Sequence, residues 1–361
     1  MPAPAYAPLD DALDALSPYG TTLANGNFNH APMVAEVLCA LGRPDAVFPW
    51  IDDYRARLTL RSPPGAALDA REWRAHLGQR DAFAAWSRLF AAELGDAPWR
   101  TVLDRSAGRL APGYSGAAAH GAIRVGHAVR GLAEAETRAR LHELADALAS
   151  WAASYTELPT APTATPGRLG PRAALAAVPV VPAERHPPGN ITRALGNLGE
   201  FPAFAPAIDL VDLGDDLDRA VAALGELFAR VFVGNAVDTR TFIVFVHAVT
   251  AVHALGNMLP HVDAATGRSL ARYAWQTGCG LYAAFGGAPL AAAIGVGDDA
   301  GDDAGDDVGD DEPRALVDQA VANGDEHIIK FTEACIARHK IAPSPIYFAA
   351  IGHALGLVRR R

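Results

Sequence analysis

The chain has 361 residues, half of them hydrophobic, and a formal net charge of −10 at pH 7. These are the proportions of a soluble globular protein of one or two domains. Nine of the 41 acidic residues lie in one run, residues 298–312, and without them the charge falls to −1. The rest of the chain is therefore nearly neutral and lacks the basic surface that nucleic-acid binding requires, so we expect no nucleic-acid partner.

The cysteines and the N-terminus indicate the compartment. The three cysteines are far apart and form no CxxC pair, which argues against a disulfide framework and against a zinc knuckle. The N-terminal sequence is acidic and does not resemble a secretory signal. We therefore expect a cytoplasmic protein.

Alanine-rich segments with apolar residues at helical spacing follow one another along the chain. They cover residues 33–41, 45–58, 81–94, 141–155, 217–233 and 313–321. Pro32 and Pro44 stand where a first helical turn accepts proline, and Gly42, Gly78 and Gly95 stand where helices would stop. The sequence predicts a mostly α protein, a single helical domain over residues 1–361 with about a dozen helices.

Two segments interrupt the helical pattern. Residues 157–190 hold eight of the 26 prolines and predict a long connection, either a linker or a lid over a site. The run 298–312 repeats GDDA without the ligand spacing of an EF-hand and predicts a disordered, solvated loop. Residues 295–301 are the one glycine-rich candidate for a dinucleotide loop, but their spacing and aspartates are wrong for it.

Histidines within apolar segments are candidate functional residues, because burying a protonated imidazole is costly unless it has a partner. His30 directly precedes a predicted helix and is either a helix-entry residue or part of a site. His120 and His127 lie on one face of a predicted helix within residues 117–132. They either share a metal or hydrogen-bond to neighbouring backbone.

The stretch 241–260 is about as long as a membrane span, but it contains His247, His253 and Asn257. These polar residues favour a buried core helix, so we expect no membrane partner. Thr250 lies one turn from His247 and is placed to orient it. His253, six residues from His247, projects from a different side of the helix.

Residues 325–335 read DEHIIKFTEAC and place His327 one helical turn from Lys330. A lysine among apolar residues must snorkel, pair with Glu326 or Glu333, or lose its proton. A neutral amine can take up carbon dioxide to form a carbamate, an anionic oxygen ligand that suits iron or manganese beside imidazoles. Four separated helices that each offer a buried histidine are one way to build a metal site in a helical core.

The amino-acid sequences of four segments resemble those of a known family. In chain order they read NHAPMVAEVLCALGRPDAV, HGAIRVGHAVR, FVHAVTA with LPH, and DEHIIKFTEAC. The sequence resembles the questin oxidase-like family from about Asn27 to Ala350, with the acidic run and the proline-rich connection as local insertions. The resemblance implies a mostly helical oxygenase of aromatic polyketides, similar to fungal relatives that open the ring of anthraquinones such as questin.

The same resemblance implies a mononuclear non-haem iron site and a small aromatic molecule as substrate. The implied ligands are four histidines and a carboxylated lysine: His30, His120, His247, His327 and Lys330. His127 and His261 match family positions in the second shell or the pocket wall. The implied cofactors are Fe(II), with manganese or zinc as alternatives, and dioxygen as co-substrate.

Three alternatives stay open at this stage. The first is an NADPH-dependent Baeyer–Villiger oxidase without a bound metal, and the second is a zinc hydrolase or isomerase that uses the same side chains. The third is a non-catalytic small-molecule binder whose buried histidines hydrogen-bond a polar ligand. Metal content separates the binder from the iron enzyme, and the oligomeric state stays open.

Overall fold

The computed structural model describes residues 3–63, 67–69, 71–161, 167–185, 190–287 and 311–358. Fifteen α-helices and two short strands lie in these residues, so the prediction of a mostly α protein is confirmed. The glycine-rich candidate 295–301 and residues 298–310 of the acidic run lie outside the described residues. Apart from Met1, the chain divides into two compact units.

The N-terminal unit comprises Pro2–Glu157 and Ala254–Tyr273. Its helices are α1 (Leu9–Leu16), α2 (Ala31–Ala40), α3 (Val47–Tyr54), α4 (Phe83–Asp96), α5 (Trp99–Leu110), α6 (His120–Glu134) and α7 (Arg138–Ala153). Strands β1 (Tyr19–Leu23) and β2 (Leu58–Leu60) form an antiparallel pair. Helix α7 packs against both α4 and α6, and α2 packs against α6.

The C-terminal unit comprises Leu158–His253 and Ala274–Arg361. Its helices are α8 (Pro171–Ala176), α9 (Ile191–Gly196), α10 (Leu217–Asn235), α13 (Asp311–Asn323), α14 (Glu326–Ile341) and α15 (Ile346–Leu357). The division between the units falls within the two longest helices, α11 (Thr239–Met258) and α12 (Ala264–Phe285). Helix α8 and a short 3₁₀ turn, Ala183–Arg185, lie inside the proline-rich connection.

Most predicted helices appear close to their predicted bounds, and the differences have local causes. Pro32 occupies the first turn of α2, as predicted. The predicted helix 45–58 is wrong at its end, because Leu58 pairs with Leu23 in the two-stranded sheet. Gly95 lies inside α4, and the chain leaves the helix only before Pro98, since the residue preceding a proline disfavours helical backbone.

The predicted loop 298–312 is too long at its C-terminal end. Asp311 and Glu312 already belong to α13. Pro313 then lies in the first turn, where its missing N–H costs nothing. The negative charge of Glu312 in this turn also interacts favourably with the positive end of the helix dipole.

Two glycines allow close approach to α6. A Cβ atom on Gly121 would lie 2.4 Å from Cα of Trp151 on α7, and one on Gly126 would lie 2.6 Å from Cα of Ala254. Neither distance is possible for a real side chain, so both positions require glycine. The two contacts fix α6, the helix that begins with His120, against its neighbours in the N-terminal unit.

The segment Thr239–His261 is the one described helix that is long and apolar enough to cross a membrane, and most of it is buried inside the protein. That burial favours the predicted core helix. All three cysteines, Cys39, Cys279 and Cys335, are buried free thiols.

Candidate functional site

In the N-terminal unit, His30 and His120 form a direct contact that we call the N-terminal pair. His30 is the N-cap residue of α2 and His120 is the first residue of α6, and both are buried. Their Nε2 atoms lie 2.9 Å apart. The positive end of each helix dipole disfavours a protonated ring at these positions. The pair therefore consists of two imidazoles that are favoured as neutral rings.

The backbone before α6 determines which nitrogen of His120 carries the proton. Nδ1 of His120 contacts the carbonyl oxygen of Ala117. A carbonyl oxygen can only accept, so the proton of the neutral ring lies on Nδ1 and the lone pair lies on Nε2. This is the tautomer of a metal-ligating histidine, whose other nitrogen donates to a fixed acceptor.

The turn that supplies this carbonyl is strained. Ala117, Ala118 and Ala119 have φ angles of 48°, 58° and 67°, a left-handed conformation that costs about 1–2 kcal/mol for each non-glycine residue. Helix α6 therefore begins at His120 and not within the alanine run. Strain of this kind persists only where the surrounding structure imposes it, and it is concentrated at functional sites.

Aromatic side chains surround the N-terminal pair. The ring of Phe28 stacks on His120 with a centroid distance of 4.8 Å, and the backbone N–H of His30 donates to the hydroxyl of Tyr54 at 3.2 Å. The stacking of Phe28 restricts rotation of the His120 ring, and the hydrogen bond to Tyr54 holds the backbone of His30.

In the C-terminal unit, His247, His327 and Lys330 form what we call the C-terminal group. The rings of His247 on α11 and His327 on α14 lie 5.7 Å apart, at an angle of 70°. Nδ1 of His247 lies 2.5 Å from the carbonyl oxygen of Ile243, so the neutral ring again has its lone pair on Nε2. Burial lowers the pKa of His247 well below its usual value, and the nearby His327 and Lys330 lower it further.

Asp325 organises the start of α14. As the N-cap residue, it accepts hydrogen bonds from the backbone N–H groups of His327 and Ile328 at 2.9 and 3.4 Å. Its Oδ1 atom also lies 3.3 Å from Nδ1 of His327. The negative charge beside Nδ1 favours the proton on that nitrogen and the lone pair on Nε2.

Lys330 is only 3% exposed. Burial lowers the pKa of its amine to about 7, although the charges of Glu326 and Asp325 act in the opposite direction. Of the two salt-bridge partners considered from the sequence, Glu326 thus influences Lys330, whereas Glu333 contacts His253 at 3.1 Å. Ligand atoms of Asp325, Glu326 and His327 lie within 4.8 Å of one another, so two carboxylates join the candidate ligands of this unit.

The residues predicted for the second shell have other partners. Nδ1 of His127 contacts a carboxylate oxygen of Glu36 at 2.8 Å, and His127 lies about two helical turns beyond His120 on α6. The hydroxyl of Thr250 donates to the carbonyl of Val246, and the Ile243 carbonyl, not Thr250, holds Nδ1 of His247.

His261 lies against the ring of Trp99 at a centroid distance of 5.1 Å. In the described part of the chain, no contact joins His261 to His30 or His120.

Sequence reasoning missed Glu36, which is buried in the middle of α2. It accepts from His127, from Arg130 at 2.7 Å and from the hydroxyl of Tyr6 at 2.8 Å. Burial raises its pKa, but Arg130 and His127 outweigh that effect and lower the pKa to about 2. A lone acid within the apolar sequence MVAEVLCA was the available signal, because such a carboxylate must have a buried partner.

The fold and these clusters define a class: a mostly helical protein with buried histidines at helix termini and within its helices. The chain belongs to the questin oxidase-like family, whose sequence profile matches residues 29–335. That match includes the N-terminal pair and the C-terminal group. The family description indicates an oxidoreductase. No curated protein matches the chain.

Proposed function

We propose that this protein is a non-haem iron-dependent oxygenase that inserts oxygen into, or cleaves, an aromatic polyketide ring of the anthraquinone type. The observation that carries the proposal is the N-terminal pair, in which two buried Nε2 atoms face each other at 2.9 Å. The reaction class and the substrate class come from the family resemblance.

The N-terminal pair fits a metal ion. An imidazole nitrogen lies about 2.1 Å from a divalent first-row metal, which separates neighbouring octahedral ligands by about 3.0 Å and tetrahedral ligands by about 3.4 Å. The observed 2.9 Å agrees with neighbouring octahedral positions. Without a metal, the same distance suits a hydrogen bond in which Nε2–H of His30 donates to His120.

The proposed ligands are those of the family resemblance: His30, His120, His247, His327 and Lys330. His120 and His247 both have Nδ1 held by a backbone carbonyl, which places the lone pair of the neutral ring on Nε2, the nitrogen that would coordinate a metal. Imidazole ligands suit iron, manganese and zinc, and a hard oxygen ligand favours iron or manganese. Bound by these side chains, Fe(II) would supply the electrons that let dioxygen react with an aromatic ring.

The presence of a lysine, and not an arginine, at position 330 supports the proposal. The chain has 31 basic residues, and only two of them, Lys330 and Lys340, are lysines. An arginine at position 330 would keep its charge, whereas a buried amine can lose its proton and then add carbon dioxide, releasing a second proton, to become a carbamate. The carbamate would add a negative charge to an otherwise neutral set of imidazoles. We expect the reductant to be the substrate itself, a partner protein or an external two-electron donor.

The test is metal content after anaerobic purification. We expect close to one iron per chain in the wild type and a loss of that iron in both His120→Ala and His247→Ala. His142→Ala is the matched control, because His142 is a partly exposed histidine outside the proposed ligand set, and it should keep its iron. Iron-free wild-type protein, or variants that retain full iron, would contradict the proposal.

A further inference from the structure

A second buried contact joins the two helices that carry the N-terminal pair. Glu36 lies six residues after His30 on α2, and His127 lies seven residues after His120 on α6. At 1.5 Å per residue, these positions are about 9 and 10 Å further along their helices. Nδ1 of His127 and a carboxylate oxygen of Glu36 lie 2.8 Å apart, so the helices touch through polar atoms at two levels.

The C-terminal unit repeats this arrangement. His253 lies six residues after His247 on α11, and Glu333 lies six residues after His327 on α14. Nε2 of His253 lies 3.1 Å from the carboxylate of Glu333, and both side chains are almost completely buried. In each unit, a histidine–glutamate contact therefore follows the candidate ligands by about two helical turns on the same two helices.

Buried polar pairs of this kind are more informative about register than about stability. Desolvation offsets much of the attraction, and well-packed apolar residues are often at least as stabilising. A displacement of either helix by one residue, however, would leave a buried carboxylate without its partner, which is costly. Two polar contacts separated by two turns therefore specify the axial register of the two helices and the rotation of each helix about its own axis.

We propose that Glu36–His127 and His253–Glu333 are positioning pairs that set the register of the helices carrying the ligand histidines, so that these nitrogens are in place before a ligand binds. The expected effect of these pairs on metal affinity rests on the proposed function. Its geometric part, the orientation of the histidine rings, does not depend on any metal.

The experiment compares Glu36→Gln and Glu333→Gln with Asp10→Asn. The control removes the carboxylate that accepts from Nε of Arg140 at 2.7 Å, a contact between α1 and α7, neither of which carries a candidate ligand. Titrated with Fe(II) alone under anaerobic conditions, each glutamine variant should bind at least tenfold more weakly than the wild type. Asp10→Asn should bind within twofold of the wild type.

The second measurement is ¹⁵N NMR of the histidine rings in the metal-free protein. Glu36→Gln should shift the ring nitrogens of His30 and His120, whereas Glu333→Gln should shift those of His247 and His327. Asp10→Asn should shift neither set. Should a glutamine variant fail to fold, the double variants Glu36→Met/His127→Leu and Glu333→Met/His253→Leu, which replace both partners of each contact by apolar side chains, provide the same comparison.

The two measurements separate the two proposals. A wild type that binds no iron contradicts the proposed function, while the ring signals still test the positioning pairs. Unchanged ring signals in both glutamine variants would overturn the positioning role whether or not iron binds.

Discussion

The two units present their histidines in different ways. In the N-terminal pair, two buried rings at helix N-termini touch directly, and a strained turn of the backbone orients His120. In the C-terminal group, the ring centroids of His247 and His327 lie 5.7 Å apart, and Asp325, Glu326 and Lys330 lie close to His327 on the same helix. A backbone carbonyl orients a histidine in both arrangements, but the N-terminal pair depends on a strained turn, whereas charged side chains lie beside the C-terminal group.

This difference predicts which kind of substitution matters in each unit. Around His120, changes of backbone conformation or helix register should alter the position of the ring. Around Lys330, changes of charge should alter affinity for a cation while leaving the fold intact. The predictions below test that contrast, beginning with the largest effect.

Lys330→Met should reduce iron affinity by more than about 100-fold, because it removes the anionic oxygen ligand from the proposed set. Thermal stability should be equal or higher, because a buried amine is replaced by an apolar side chain of similar length. Iron binding and calorimetry measure the two effects. Lys340→Met, at an exposed position on the same helix, is the control, and a Lys330→Met protein with wild-type iron content would refute the carbamate.

Glu36→Gln should flatten the dependence of stability on acid pH. The pKa of Glu36 is lowered from 4.5 to about 2 by its cationic partners, so its ionised form stabilises the fold above pH 4.5. That contribution disappears as the pH falls toward 2 and is on the order of 3 kcal/mol. Denaturant unfolding of both proteins between pH 7 and pH 2 measures it, and parallel curves would show that Glu36 is not held by its partners.

Substitutions at Ala117 should give the smallest effect and test the strained turn. Ala117→Gly should leave the free energy of unfolding unchanged or raise it by about 1 kcal/mol, because glycine adopts a positive φ freely. Ala117→Val should lower it by about 2 kcal/mol, since a β-branched residue is disfavoured at the φ of 48°. Equal thermal unfolding of the two variants would mean that the turn is not strained in solution.

Features that depend on local sequence were predictable. The helix expected over residues 217–233 is observed as Leu217–Asn235, and Pro32 begins α2, because apolar periodicity and proline chemistry act over a few residues. The turn at 117–119 was not predictable, since alanine is the best helix former and only its surroundings force it out of the helix.

The candidate site was partly accessible from the sequence. The apolar surroundings of the histidines in the sequence and the resemblance to family motifs identified the candidate ligands. The partner of each ring, however, depends on contacts between residues that are distant in sequence. Glu36 and His127 are 91 residues apart, and His253 and Glu333 are 80 apart, so no local pattern pairs them. The same limit explains Thr250, whose spacing indicated a partner for His247 although a backbone carbonyl serves that role.

The most direct test of the central claim is X-ray absorption at the iron K edge on anaerobically reconstituted protein. The proposed ligands predict a first shell of nitrogen and oxygen only, with outer-shell scattering from four imidazoles that falls measurably in His120→Ala and in His247→Ala. A sulfur ligand, two or fewer imidazoles, or a spectrum unchanged in both variants would contradict the proposed ligand set.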